Sequence, residues 1–131
     1  MSRGARSALQ QANRLQEDAA RIGFDWPDAQ GPLDKVKEEI AELEREGRDG
    51  GWGNREAVID ELGDLLFAVV NLSRKLGVDP SQALQRANGK FTRRFEQVRR
   101  LAQDRGLTLG RASLAELDKL WDEIKKTEED A

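Results

Sequence analysis

The sequence predicts an all-α fold: a helical bundle of about five helices around an antiparallel helix pair. Three observations predict it. Apolar residues recur at helical spacing in separate stretches, no stretch alternates as a strand does, and glycine, proline and capping residues mark the breaks. A chain of 131 residues without internal repeats fits one domain, residues 1–131, with a usable core. Residues 1–7 read as a basic tail and 127–131 as an acidic tail, both expected to be flexible.

The first helix is expected from Ala8 to Ile22, with Leu9, Ala12, Leu15, Ala19 and Ile22 on one face and Gly23 as its stop. Phe24 to Gly31 follows as a loop with two large aromatics, Phe24 and Trp26. Such rings either plug the core, the commoner case, or line a pocket. Gly31-Pro32 opens the second helix, whose seam is Leu33, Val36, Ile40 and Leu43 and whose expected end is Gly47. Arg48 to Gly53 is a short glycine-rich connection, and Asn54 is placed to cap the third helix. That helix runs to about Leu76 on a seam of Val58, Leu62, Leu65, Val69, Leu72 and Leu76. Leu66, Phe67 and Val70 add apolar surface on other sides, so the helix is expected to be central and completed by dimerisation.

Gly77 ends the third helix, and Asp79-Pro80 caps and starts the fourth, which runs to about Arg105. Its seam is Leu84, Ala87, Phe91, Phe95, Val98 and Ala102. After a loop from Gly106 to Ala112, Ser113 and Glu116 form a capping box for a last helix through Lys125.

Composition narrows the chemistry. There is no cysteine, which excludes disulfides, thiolate metal sites and cysteine nucleophiles. There is no histidine, which removes imidazole ligands and every Ser-His-Asp arrangement. A bound metal would be held through oxygen, favouring a hard cation such as Mg2+ or Mn2+. The net charge of −3 with 36% charged residues gives no reason to expect nucleic-acid or membrane partners. The longest apolar run, Leu65 to Val70, is far too short to span a bilayer, and the first residues lack a signal-peptide stretch, so a cytoplasmic protein is expected.

Two carboxylate groups stand out: Glu38, Glu39 and Glu42 on the second helix, Glu61 and Asp64 on the third. At one hundred degrees per residue, Glu39 and Glu42 share one flank of their seam while Glu38 points further out. In heptad terms Glu39 and Glu61 are both g and Glu42 and Asp64 both c, so antiparallel packing puts the pairs on the same side. Counted from the connection, the two sets differ in height by about two residues, roughly 3 Å. Residue types alone leave two readings, a metal site or a solvated acidic face. The matched flank and height favour the metal site, because clustered carboxylates repel unless a cation neutralises them.

The ordered series of motifs resembles the MazG-type nucleoside triphosphate pyrophosphohydrolases. It comprises Glu-Glu-x-x-Glu at 38–42, Glu-x-x-Asp at 61–64, Gly23-Phe24-Asp25-Trp26-Pro27, Asn88-x-Lys90-Phe91-x-x-Arg94-Phe95 and Leu120-Trp121-x-x-x-Lys125. The likeness spans about residues 9–126. Some members carry two tandem domains where this sequence holds one, and the connection Asp49 to Gly53 looks long. The resemblance implies magnesium-dependent hydrolysis of a nucleoside triphosphate to monophosphate and pyrophosphate. By this likeness Glu39, Glu42, Glu61 and Asp64 are metal ligands. Glu38 is either a ligand to a second metal or a base for the attacking water. Lys90 and Arg94 contact phosphate and act in catalysis, and Trp121 and Lys125 belong to the nucleotide pocket; Asn88, on the other flank of its helix seam, either contacts the ligand or caps a neighbouring helix. Lys90 and Arg94 are i,i+4 and share a helix face, which suits that role independently. Trp121 on an apolar face serves a core role as readily as base stacking. Two other readings are a relative specialised for dUTP or modified nucleotides, and a non-catalytic helical dimerisation module.

Overall fold

A computed structural model describes the backbone of residues 2–130 and the side chains of residues 8–130. Met1 and Ala131, the outermost residues of the two expected tails, lie outside the described residues. The fold is all-α: α1 is Ser2–Arg21, α2 Gln30–Gly50, α3 Arg55–Lys75, α4 Pro80–Asp104 and α5 Leu114–Asp130. No strand occurs among the described residues, and no helix there is long and apolar enough to cross a membrane.

The expected caps are in place. Asn54 Oδ1 accepts from Ala57 N at 3.3 Å, and Asp79 Oδ1 accepts from Ser81 N at 2.8 Å. Ser113 and Glu116 satisfy each other's backbone N–H groups at 2.9 and 3.1 Å.

Three boundaries differ from the sequence reading. α1 begins at Ser2 rather than Ala8, because Ser2 to Ser7 continue the helical backbone without an apolar stripe that periodicity could detect. α2 does not stop at Gly47. It ends when Gly51 enters the left-handed region at φ 55°, with its N–H donating to Gly47 O at 2.9 Å. Gly47 serves another purpose: the Trp52 ring lies so close that a Cβ there would fall 2.3 Å from its Cζ2. α5 continues past Lys125 to Asp130, its last turns tied by Thr127 Oγ1 donating to Glu123 O and by an ion pair from Glu128 to Arg94.

The chain divides into two compact units, residues 1–83 and 84–131. In the first, α2 packs antiparallel on α3 across a four-residue connection, and α1 also packs on α3. Burial on α3 falls on Ala68 and Val70. The expected seam residues Leu62, Val69 and Leu76 are exposed in the single chain, as is Leu66. In the second unit Val98 and Ala102 of α4 meet Leu120 and Ile124 of α5, ringed by Leu101, Leu107, Leu109, Leu117 and Trp121. The predicted α4 seam is therefore buried at its C-terminal end only, and Leu84, Phe91 and Phe95 remain exposed.

Candidate functional site

The α2–α3 pair brings the acids together. Glu39, Glu61 and Asp64 each offer a carboxylate oxygen, and these oxygens lie within 4.8 Å of one another. Glu42 is the neighbour that acts most strongly on Glu61. The register follows from helical geometry: Glu39 and Glu42, like Glu61 and Asp64, are i,i+3 pairs stacked on one face.

The environment of these acids is unusual. Glu39 is 3% exposed, and Lys35 Nζ lies 3.2 Å from its Oε1. That contact, above all, raises the Lys35 pKa. The second oxygen, Glu39 Oε2, is buried without a hydrogen-bond partner, and so is Glu61 Oε2. The Glu61 carboxyl is pushed up to about 7, chiefly by the neighbouring Glu42 carboxyl, then by desolvation and the charges of Glu42, Glu39 and Asp64. Orphaned carboxylate oxygens are costly, and an all-oxygen donor set suits a hard divalent cation. The residues present therefore fit such an ion.

Glu38 stands apart. Its side chain is 57% exposed and its contact is Lys35 Nζ at 3.5 Å.

The second unit holds the remaining residues singled out in the sequence. Arg94 Nη2 lies 2.8 Å from Glu128 Oε1, and Arg94 Nε donates to both Glu128 oxygens, at 2.9 and 3.2 Å. The Arg94 guanidinium also sits 5.8 Å from the centre of the Trp121 ring, which tilts against Phe91 at 5.6 Å. Trp121 thus joins the edge of the α4–α5 core while presenting a face to Arg94. Lys90 and Lys125 are exposed, and Asn88 is exposed with its carbonyl accepting from Thr92 Oγ1.

Residues 30–99 match the MazG nucleotide pyrophosphohydrolase domain. The chain belongs to the MazG family. It is 43% identical over 122 residues to the nucleoside triphosphate pyrophosphohydrolase/pyrophosphatase MazG of Thermotoga maritima, covering 93% of this chain and 46% of that protein. It is 42% identical over 129 residues to the nucleoside triphosphate pyrophosphohydrolase of Escherichia coli K12, covering 94% of this chain and 46% of the relative. A 68-residue stretch, 52% of this chain, is 46% identical to the uncharacterized protein YabN of Bacillus subtilis, covering 14% of it. The chain spans about half the length of the two pyrophosphohydrolases. The matched MazG segment contains the four clustered acids as well as Glu38, Asn88, Lys90 and Arg94, whereas Trp121 and Lys125 lie beyond it.

Two features of this MazG chain escaped sequence reasoning. The first is the anchoring of the aromatic loop. Asp25 accepts from Arg74 through both guanidinium ends, from Lys75 Nζ at 3.1 Å and from Trp26 N at 2.8 Å. Arg74, first among these, holds the Asp25 carboxyl far below the usual carboxylate range. The second is Gln16 on α1, 5% exposed, whose Nε2 donates to Phe67 O at 3.0 Å. Neither is a motif of spacing. The partners are separated by 49 to 51 residues and meet only in the folded chain.

The Asp25 anchor has a pH signature. A carboxyl depressed in the fold contributes stability that is present above its unfolded pKa, about 3.8, and lost as pH falls toward the folded value. Asp25→Asn should cost about 1–3 kcal/mol at pH 7, the scale of charge-assisted hydrogen bonds. The gap in thermal midpoint between wild type and Asp25→Asn should hold from pH 7 to 5 and narrow below pH 4. A gap unchanged down to pH 3 would assign the loss to packing instead.

Proposed function

We propose that this chain hydrolyses nucleoside triphosphates to nucleoside monophosphate and pyrophosphate with a divalent cation, Mg2+ or Mn2+. The observation that supports it best is the convergence of Glu39, Glu61 and Asp64, with Glu42 on Glu61, in a MazG chain. These four would hold the cation. When bound, it supplies Lewis acidity and charge neutralisation at the phosphate oxygens. Lys35 fixes one oxygen of Glu39 and leaves the other to the site.

The other roles rest on charge and family likeness. Lys90 and Arg94 bind phosphate oxygens and stabilise the pyrophosphate leaving group. Glu38 accepts a proton from the attacking water or supports a second cation. Trp121, Lys125 and Asn88 contact the nucleotide. No protein nucleophile is required, which suits a chain without cysteine or histidine. A second copy of the chain is the partner we propose for α3, whose exposed Leu62, Leu66, Val69 and Leu76 favour a homodimer or higher homo-oligomer.

A panel of standard, deoxy, dUTP and modified triphosphates incubated with Mg2+ tests the reading. Pyrophosphate is the expected product. Release of single phosphate, or no turnover together with no saturable Mn2+ binding in calorimetry, would leave a passive helical module instead.

A further inference from the structure

α4 is the most basic helix of the chain, with six lysines and arginines against two acids, Glu96 and Asp104. Three of the cations are engaged. Arg94 pairs with Glu128 at 2.8 Å, and Glu96 serves both Arg99 and Arg100, at 3.8 and 3.9 Å. Arg86, Lys90 and Arg93 are exposed and form no ion pair among the described residues.

Arg93 differs from Arg86 in how it is held. Helical side chains lean toward the N-terminus, so Arg93 reaches back one turn to residue 89. That residue is a glycine in the middle of the helix, where alanine would be the more stable choice. A Cβ there would lie 3.4 Å from Arg93 Nη1, so the guanidinium rests against bare backbone. The helix gives up propensity at Gly89, and the Arg93 head is laid down at the level of Lys90 instead of extending into water.

A second observation shows where this charge acts. α5 places the Glu128 carboxylate against Arg94. Arg94 first, then Arg93 and Lys90, hold that carboxyl below its usual range. All three cations therefore act on one point, and an anion of the chain itself already occupies it. The negative charge facing the group is small, Glu128 in contact and Glu129 at longer range. Three exposed positive charges converging on one contacting carboxylate suit an anion of higher charge, and a polyphosphate end is such an anion.

We propose that Arg93 is a third phosphate-binding residue beside Lys90 and Arg94, that it takes the pyrophosphate end of the substrate, and that Glu128 keeps that place until phosphate arrives. This rests on the pyrophosphohydrolase reading. It adds to the phosphate site a residue and a preference for a polyphosphate end over a single phosphate.

Inorganic pyrophosphate and orthophosphate are the probes, titrated into the full chain by calorimetry without divalent cation, so that neither turnover nor the acidic group enters. Wild type should bind pyrophosphate saturably and tighter than orthophosphate. Arg93→Gln should weaken pyrophosphate about fivefold, the scale of one charged contact at an exposed site, and orthophosphate less than about twofold. Arg93→Lys, which keeps the charge, should recover part of the loss, and the gap between wild type and Arg93→Gln should narrow as salt rises. Arg86→Gln removes an equally exposed cation of the same helix and should leave pyrophosphate affinity within about twofold. The thermal midpoint should hold in Arg93→Gln, because the side chain has no ion pair to lose. An equal loss in Arg93→Gln and Arg86→Gln would reduce the effect to net charge and overturn the proposal. Unchanged pyrophosphate affinity in Arg93→Gln, or no saturable binding by wild type, would overturn it as well. Hydrolysis is read separately, as pyrophosphate release from a triphosphate with Mg2+. Arg93-dependent binding in a chain without turnover would sink the catalytic reading and keep this one, and turnover with Arg93-independent binding would do the reverse.

Discussion

Glu61→Ala should lower divalent-dependent pyrophosphate release by about a thousandfold while leaving the helices intact. Glu61 stands at the centre of the acidic group, acted on by Glu42 and close to Glu39 and Asp64. Losing a ligand there removes most of the charge stabilisation that a cation gives the reacting phosphate, a matter of several kcal/mol. At about 1.4 kcal/mol per factor of ten, the rate falls by some three orders of magnitude. Stability should move differently. In the cation-free protein the four acids repel, so removing one holds or raises the thermal midpoint. Wild type should gain stability on adding Mn2+, and the variant should gain little. Full activity in Glu61→Ala, or an equal Mn2+ shift in both proteins, would refute the assignment of this residue as a ligand.

Arg94→Ala and Glu128→Gln should act in opposite directions on substrate affinity. Arg94 is committed to Glu128 through three contacts between 2.8 and 3.2 Å. Glu128 lowers its own pKa through the same pairing, with Arg94 as the first cause and Arg93 and Lys90 as weaker ones. A triphosphate that engages Arg94 must displace this carboxylate. Removing the guanidinium costs a charge-assisted hydrogen bond, about 1.5–3 kcal/mol, or roughly ten- to a hundredfold in kcat/KM. Neutralising Glu128 removes a competitor at a partly exposed pair, so KM should fall only about two- to fivefold. Steady-state kinetics at low and moderate salt checks both. If Glu128→Gln raises KM, the pair positions Arg94 rather than competing for it.

The helices and the acidic group were legible in the sequence because both are periodic. Caps at Asn54, Asp79 and Ser113 are local chemistry, and Glu39, Glu61 and Asp64 converge because helical geometry fixes flank and height over short distances. The helix ends were read less well. Gly47 looked like a stop, yet its value lies in making room for the Trp52 ring, a contact that no propensity records. The end of α5 depends on Glu128 reaching Arg94, 34 residues away in the chain. The breadth of the apolar surface on α3 was legible too, and Leu62, Val69 and Leu76 are exposed in the single chain, but which of its sides the chain itself covers was not. Gln16 gave no signal because a lone amide on a helix is ordinary until its partner is known.

The Trp52 ring seated on Gly47 has an optical consequence. The chain has three tryptophans and no tyrosine, so its near-ultraviolet emission comes almost wholly from indole. Trp26 lines a cavity in the first unit, Trp52 sits at the α2–α3 turn and Trp121 stands beside Arg94. Each therefore reports on a different part of the chain. Variants retaining a single indole would turn these places into three independent fluorophores. The Trp52 signal would serve as an internal reference, distant in sequence from both the aromatic loop and the Arg94–Glu128 pair.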